Sequence, residues 1–104
     1  MRGLIDLHTH STASDGQYTP AQLVELAAQA GVQVLALTDH DTTAGLVEAQ
    51  QAALRTGGAF VPGIEMDTEY PGISGNFHIL GYGIAPEDPA LLSLCRELAQ
   101  QRAQ

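Results

Sequence analysis

Residues 19–37 read TPAQLVELAAQAGVQVLAL, and this stretch holds a helix start, a helix stop and a strand. Thr19 suits an N-cap and Pro20 the first helical position. Gln22, three residues after Thr19, completes a capping box. Leu23, Leu26, Ala27 and Ala30 recur at helical spacing and are expected to line one face. Gly31 follows as the C′ glycine that ends the helix. Val32–Leu37 then reads as a nearly continuous apolar strand, the pattern of a sheet covered on both faces.

The pattern repeats outward from this stretch. Leu4-Ile5-Asp6-Leu7-His8 reads as the preceding strand. A second helix is expected from about Thr43 to Thr56, with Leu46, Val47, Ala53 and Leu54 inward and Gly57-Gly58 as its stop. Phe60–Met66 reads as a third strand, Tyr70 to Asn76 as a turn-rich stretch and Phe77–Tyr82 as a fourth strand. Asp88-Pro89 opens a last helix carrying Leu91, Leu92, Cys95, Leu98 and Ala99, with no terminating signal before Gln104. The predicted order is β-α-β-α-β-β-α. Strands alternating with helices predict an α/β fold with a parallel sheet. A closed barrel of this type takes about 250 residues. The 104 residues therefore read as either the first part of a larger α/β barrel or a complete small α/β sandwich.

Composition narrows the function classes. Hydrophobic residues make up 44% and charged residues 15%, which excludes a disordered chain. No apolar run approaches the roughly 18 residues of a membrane helix, and the N-terminus turns polar at Asp6, too early for a signal-peptide core. The single cysteine, Cys95, excludes an internal disulfide and a thiolate zinc knuckle and reads as a packing residue. A cytoplasmic protein is expected. Twelve Asp and Glu face four Arg and no Lys, for a net charge of −8. That leaves no basic patch for an extended nucleic-acid surface. A phosphate-bearing ligand would have to be held by other means, such as metal ions.

The histidines sit where such ions could bind. His8 and His10 end the first strand, and residues i and i+2 of a strand point to one side. His40 follows the second strand in Thr38-Asp39-His40-Asp41, Glu65 lies near the end of the third, and His78 lies in the fourth. Ligands of parallel α/β folds gather at the carboxyl ends of strands. One metal site is the reading of this combination, although each histidine alone reads as an ordinary hydrogen-bonded residue. Nitrogen and carboxylate donors without thiolate suit Zn, Mn, Fe or Mg. Asp15, in Ser14-Asp15-Gly16, is by itself a turn residue. Asp6, Asp39 and Asp41 flank the histidines, either orienting imidazoles or capping loops. Asp67, Glu69, Glu87 and Glu97 read as solvated charge.

The motifs Asp6-Leu7-His8-Thr9-His10-Ser11, Leu37-Thr38-Asp39-His40-Asp41 and Pro62-Gly63-Ile64-Glu65 resemble the first three motifs of the PHP (polymerase and histidinol phosphatase) family. Phe77-His78-Ile79-Leu80-Gly81-Tyr82 resembles its following histidine motif. The resemblance covers almost the whole chain. It is closest to the stand-alone bacterial branch of nucleoside 3′,5′-bisphosphate phosphatases and a 5′→3′ exoribonuclease.

The resemblance implies a distorted (β/α)7 barrel, of which residues 1–104 would be the N-terminal part of a single, incomplete PHP domain. It implies two or three divalent ions, of Mn, Zn or Fe. His8, His10 and Glu65 would hold one, Asp15 and His40 a second, and Glu65 would bridge to a third shared with His78. The implied activity is phosphoester hydrolysis of a nucleotide or short oligonucleotide by attack of a metal-bridging hydroxide, with Glu65, His40 and Asp15 central to it. The family's three later ligands, two His and an Asp, have no counterpart in these residues. An amidohydrolase-like hydrolase and a non-catalytic metal-binding module are the alternatives. The chain alone is expected to be weakly folded, or to self-associate through open sheet edges, with Val32–Leu37 and Phe60–Met66 as the exposed apolar strands.

Overall fold

The structure, a computed structural model, describes residues 4–69 and 76–102. Its elements are β1 (Leu4–Thr9), α1 (Pro20–Gln29), β2 (Val32–Leu37), α2 (Leu46–Thr56), β3 (Ala59–Glu69), β4 (Asn76–Tyr82) and α3 (Pro89–Arg102). The order is the one the sequence predicts. Most of the Tyr70–Asn76 turn lies outside the described residues.

One four-stranded sheet runs β1-β2-β3-β4. β1, β2 and β3 are parallel, but β4 is antiparallel to β3. The expected parallel sheet holds for β1 to β3 and gives way at β4 for a simple reason. No helix separates β3 from β4, and only an antiparallel pair closes without a long crossover. The edges of the sheet are therefore β1 and β4. Val32–Leu37 and Phe60–Met66, expected as the sticky strands, are each paired on both sides. Among the described residues, the exposed large apolar side chains of the edges are Leu4, Ile5 and Leu7 on β1 and Ile79 and Tyr82 on β4. Tyr82 Oη donates to the Leu7 carbonyl at 2.8 Å, so a side chain of one edge strand reaches the backbone of the other.

α1 starts as its sequence dictates. Thr19 Oγ1 accepts from Gln22 N at 3.2 Å, and Thr19 N donates to Gln22 Oε1 at 3.1 Å. A further free donor of the first turn, Ala21 N, is taken by Glu48 Oε2 of α2 at 2.9 Å. The buried residues of α1 are Pro20 and Val24, whereas Leu26 is exposed. Of the expected face, Leu23 and Ala27 do pack against the core beside the buried Val24, whereas Leu26 and Ala30 turn to solvent.

α2 begins at Leu46, not Thr43. Thr43 Oγ1 donates to the Pro86 carbonyl at 3.0 Å instead of capping the helix, and Gly45 stands at the N-cap. A side chain at Gly45 would put its Cβ 2.8 Å from Pro20 Cγ, so the start of α2 rests on the start of α1. The buried face is Leu46, Ala49, Ala52 and Ala53, while Val47 and Leu54 are exposed. The alanine stripe wins because small side chains allow a closer approach to α1 and the sheet. Gly57 closes the helix at φ 82° with its N–H on the Ala53 carbonyl, as expected.

The core joins Val24, Leu35, Leu37, Leu46, Ala49, Ala52 and Ala53. Leu37, Leu46 and Ile64 are the largest fully buried apolar side chains, each contributing about 1.5–3 kcal/mol from burial. This packing anchors the ends of β2 and β3, where the candidate ligands lie. No helix among the described residues is long and apolar enough to cross a membrane.

Candidate metal centre

Three strand ends are locked together before any ligand is considered. Thr9 Oγ1 donates to the Ala36 carbonyl at 2.6 Å, and Thr38 N and Oγ1 both donate to the Thr9 carbonyl, at 2.9 and 3.1 Å. These bonds fix the end of β1, with His8 and His10, against the end of β2. Past β2 the backbone bridges to β3: Glu65 N donates to the Asp39 carbonyl at 3.1 Å and Asp41 N to the Glu65 carbonyl at 2.9 Å. Asp41 takes the left-handed conformation at φ 51°, uncommon for a residue other than glycine. That turn sets His40 directly beside Glu65, as an isolated bridge between the two residues. Gly63 lies beneath, where a Cβ would sit 2.8 Å from Thr38 Cγ2 and 2.9 Å from the Gly81 carbonyl oxygen.

Glu65 is 3% exposed and meets three imidazoles. Its Oε1 lies 2.5 Å from His8 Nε2 and 3.2 Å from His10 Nε2; its Oε2 lies 3.4 Å from His40 Nδ1. Asp15 joins the other sides of two of these rings, with Oδ1 2.9 Å from His10 Nδ1 and Oδ2 3.1 Å from His40 Nε2. Asp67 Oδ2 is 2.6 Å from His40 Nδ1. The rings crowd, with His10 and His40 centroids 4.3 Å apart.

Among the described residues the donor atoms form three overlapping sets, each within 4.8 Å: His8, His10 and Glu65; His10, Asp15 and His40; His40, Glu65 and Asp67. Ligand atoms bound at about 2.1 Å to one ion sit roughly 3–3.5 Å apart, so most of these separations already suit shared cations. His40 Nδ1 is buried and makes no aligned hydrogen bond, although two carboxylates stand within ion-pair distance. The donor set of imidazole nitrogen and carboxylate oxygen fits a divalent ion.

The Asp15 carboxyl titrates below the usual Asp range. Desolvation pushes it up, but His40 and His10 beside it pull harder in the other direction. Burial raises the Cys95 thiol, against the weaker pull of Arg96. That agrees with a packing role on α3 and not with a nucleophile.

The structure thus brings together five of the six expected ligands: His8, His10, Asp15, His40 and Glu65. The side chain of His78 lies outside the described residues; its backbone pairs with Asp67 across β3 and β4. Asp67 was expected to be solvated charge and is not. β3 runs past Met66 to Glu69, so Asp67 shares a side with Glu65 by strand alternation. That spacing is the signal in the sequence that identifies it.

Known proteins share this architecture. The PHP domain family model matches residues 6–99. A phosphoribosyl 1,2-cyclic phosphate 1,2-diphosphodiesterase of Eggerthella lenta is 46% identical over 93% of this chain and 37% of its own length. A 3′,5′-nucleoside bisphosphate phosphatase of Chromobacterium violaceum is 43% identical over 94% of this chain and 34% of its own. A 5′-3′ exoribonuclease of Haemophilus influenzae is 45% identical, over 94% and 36%. The chain therefore spans 34–37% of the length of these relatives. The solved structure of an amidohydrolase from C. violaceum, with bound sulfate and no metal, superposes with a TM-score of 0.88 at 43% identity, covering 94% of this chain and 34% of that one. The described half-barrel and its paired histidine, aspartate and glutamate motifs match along nearly their whole length, and the chain belongs to the PHP domain family.

Proposed function

We propose that residues 1–104 are the N-terminal part of a single PHP domain that hydrolyses a phosphate ester of a nucleotide or short oligonucleotide in the cytoplasm. The observation that carries the proposal is the two-sided environment of Glu65. One carboxylate oxygen faces His8 and His10, and the other faces His40. A carboxylate so placed suits a bridge between two cations.

The tautomers limit how the three donor sets are filled. A neutral imidazole has one acceptor nitrogen, so His10 and His40 each serve one set at a time. His8, His10 and Glu65 Oε1 then make one site. Asp15 and His40 Nε2 make a second, with the His40 Nδ1–H turned toward Asp67. Glu65 Oε2 and His78 are left for a third ion. Mn, Zn and Fe all fit such nitrogen and oxygen ligands. Divalent cations held there would neutralise phosphoryl oxygens and acidify water for attack on phosphorus. The chain's own residues fix the geometry: buried Glu65 cannot move without breaking the bridge to Asp39 and Asp41, and Asp15 orients two rings at once.

The net charge of −8 supports cation-mediated phosphate binding, since the chain has no Lys at all. The relatives named above are phosphoesterases acting on nucleotide or ribose phosphates, although the superposed C. violaceum structure bears the amidohydrolase name. The test is turnover by the full reading frame that contains these residues, assayed with Mn²⁺. The substrates are a nucleoside 3′,5′-bisphosphate, a short oligoribonucleotide, p-nitrophenyl phosphate and a dihydropyrimidine. Metal-dependent phosphate release supports the proposal. Turnover of the dihydropyrimidine alone supports an amidohydrolase, and metal binding without turnover a non-catalytic module.

A further inference from the structure

Asp39 is a buried carboxylate, 2% exposed, outside the donor sets of the metal centre. Its oxygens accept three short hydrogen bonds from one loop. Oδ1 receives Ser11 N at 2.6 Å and Ser14 Oγ at 2.7 Å, and Oδ2 receives Ser11 Oγ at 2.6 Å. No Lys or Arg takes part in these contacts, so the charge is held by hydrogen bonds, which are strong when the acceptor is ionised. Ser11 is fully buried. Ser11 O receives Ser14 N at 3.1 Å and Gly16 N at 2.8 Å, which closes the loop into a tight turn. A Cβ on Gly16 would lie 2.8 Å from Ser11 Cα, so the turn also needs a glycine there.

Asp15 stands on that loop between the two tethered positions, with its side chain 66% exposed. Its reach to His10 and His40 depends on where Ser14 and Gly16 place its backbone, and Ser14 Oγ also donates directly to Asp15 Oδ1 at 3.4 Å. The other end of Asp39 touches the opposite ligand, because its carbonyl accepts Glu65 N at 3.1 Å. One residue thus ties the Asp15 loop to the Glu65 strand.

We infer that Asp39 is a positioning residue of the metal centre, which holds the Ser11–Gly16 loop so that Asp15 meets His10 and His40. The inference rests on the metal-site reading above. An Asn at this position would offer one acceptor oxygen in place of two and lose the charge. Ser14 Oγ serves as one leg of the tether and also donates to Asp15, so Ser14→Ala removes both contacts, while Asp39→Asn leaves the direct one in place and tests the tether alone.

The experiment compares wild type with Ser14→Ala, Ser14→Thr, Asp39→Asn, Asp15→Asn and the double variant Ser14→Ala/Asp15→Asn. The first measurement needs no metal: imidazole ¹⁵N resonances at fixed pH. Ser14→Ala and Asp39→Asn should move the His10 and His40 signals and leave His8 in place, and Ser14→Thr should restore them. The second is Mn²⁺ titration by calorimetry. Ser14→Ala should weaken the step that Asp15→Asn abolishes by about 10-fold, the low end for residues that orient a ligand. It should have no further effect in the Asp15→Asn background. Unmoved His10 and His40 signals in Ser14→Ala, or equal shifts of all three histidines, would overturn the inference. So would a loss of Mn²⁺ affinity that persists without Asp15. If wild type binds no Mn²⁺, the metal-site reading fails, while the resonance comparison still decides the role of Asp39.

Discussion

Gly63→Ala is the sharpest test of how the floor of the centre is built. The added Cβ would lie 2.8 Å from Thr38 Cγ2, 2.9 Å from the Gly81 carbonyl oxygen and 3.2 Å from the Leu37 carbonyl oxygen. Two of these three atoms are backbone and cannot rotate away. The third belongs to a β-branched side chain whose Oγ1 is committed to the Thr9 carbonyl. If Thr38 swings aside, that hydrogen bond is lost, about 1 kcal/mol. If it stays, β3 must shift from both neighbours, and overpacking of a tight interior costs about 1–3 kcal/mol. A destabilisation of about 1–3 kcal/mol corresponds to roughly 4–24 °C in Tm for a domain of this size. The control is Gly58→Ala, where the nearest atom, Gln33 O, would be at 3.7 Å. Loss of unfolded-state freedom there is neutral or stabilising by up to about 1 kcal/mol. Thermal and urea melts of both variants decide the matter. Equal Tm for Gly63→Ala and Gly58→Ala would refute the close packing of β2, β3 and β4 beneath the site.

Other expectations follow from the same geometry. Glu65→Gln in the full reading frame should abolish Mn²⁺-dependent phosphate release and keep the circular dichroism spectrum, because an amide cannot supply the bridging charge; near wild-type turnover would remove Glu65 from its proposed role. Asp15→Asn should cost stability above the ordinary Asp range. Because the Asp15 pKa is lowered in the folded state, that contribution is complete above the unfolded value and fades as pH falls through the lowered one; a stability difference that does not change with pH would contradict the pairing. Ile5→Lys should reduce self-association of residues 1–104 in sedimentation, since Ile5 is 67% exposed on the edge strand β1; unchanged association would clear this edge.

Most of the fold is legible in local signals. The Thr19–Gln22 capping box, the Gly57 stop and the apolar run of β2 each act within a few residues, and each appears in the structure. What is not legible depends on partners distant in sequence. Val47 and Leu54 are as apolar as Leu46, and only the approach of α1 decides that the alanine stripe is buried. Thr43 has the chemistry of a cap, but Pro86, far along the chain, takes its hydroxyl. The site is legible where motifs carry it, at His8, His10, His40 and Glu65. Asp67 is not legible because the apolar run ends at Met66, whereas β3 continues to Glu69. The tether from Asp39 to Ser11 and Ser14 required the loop to be folded before it could be seen.

The central claim is that His8, His10 and Glu65 hold a divalent cation. Metal content after saturation with Mn²⁺ or Zn²⁺ and removal of excess, measured on residues 1–104 and on the same chain carrying His8→Ala, tests it most directly. Bound metal in the first protein and its loss in the second is the expected result. Metal-free protein after saturation, or equal metal in both, would contradict it.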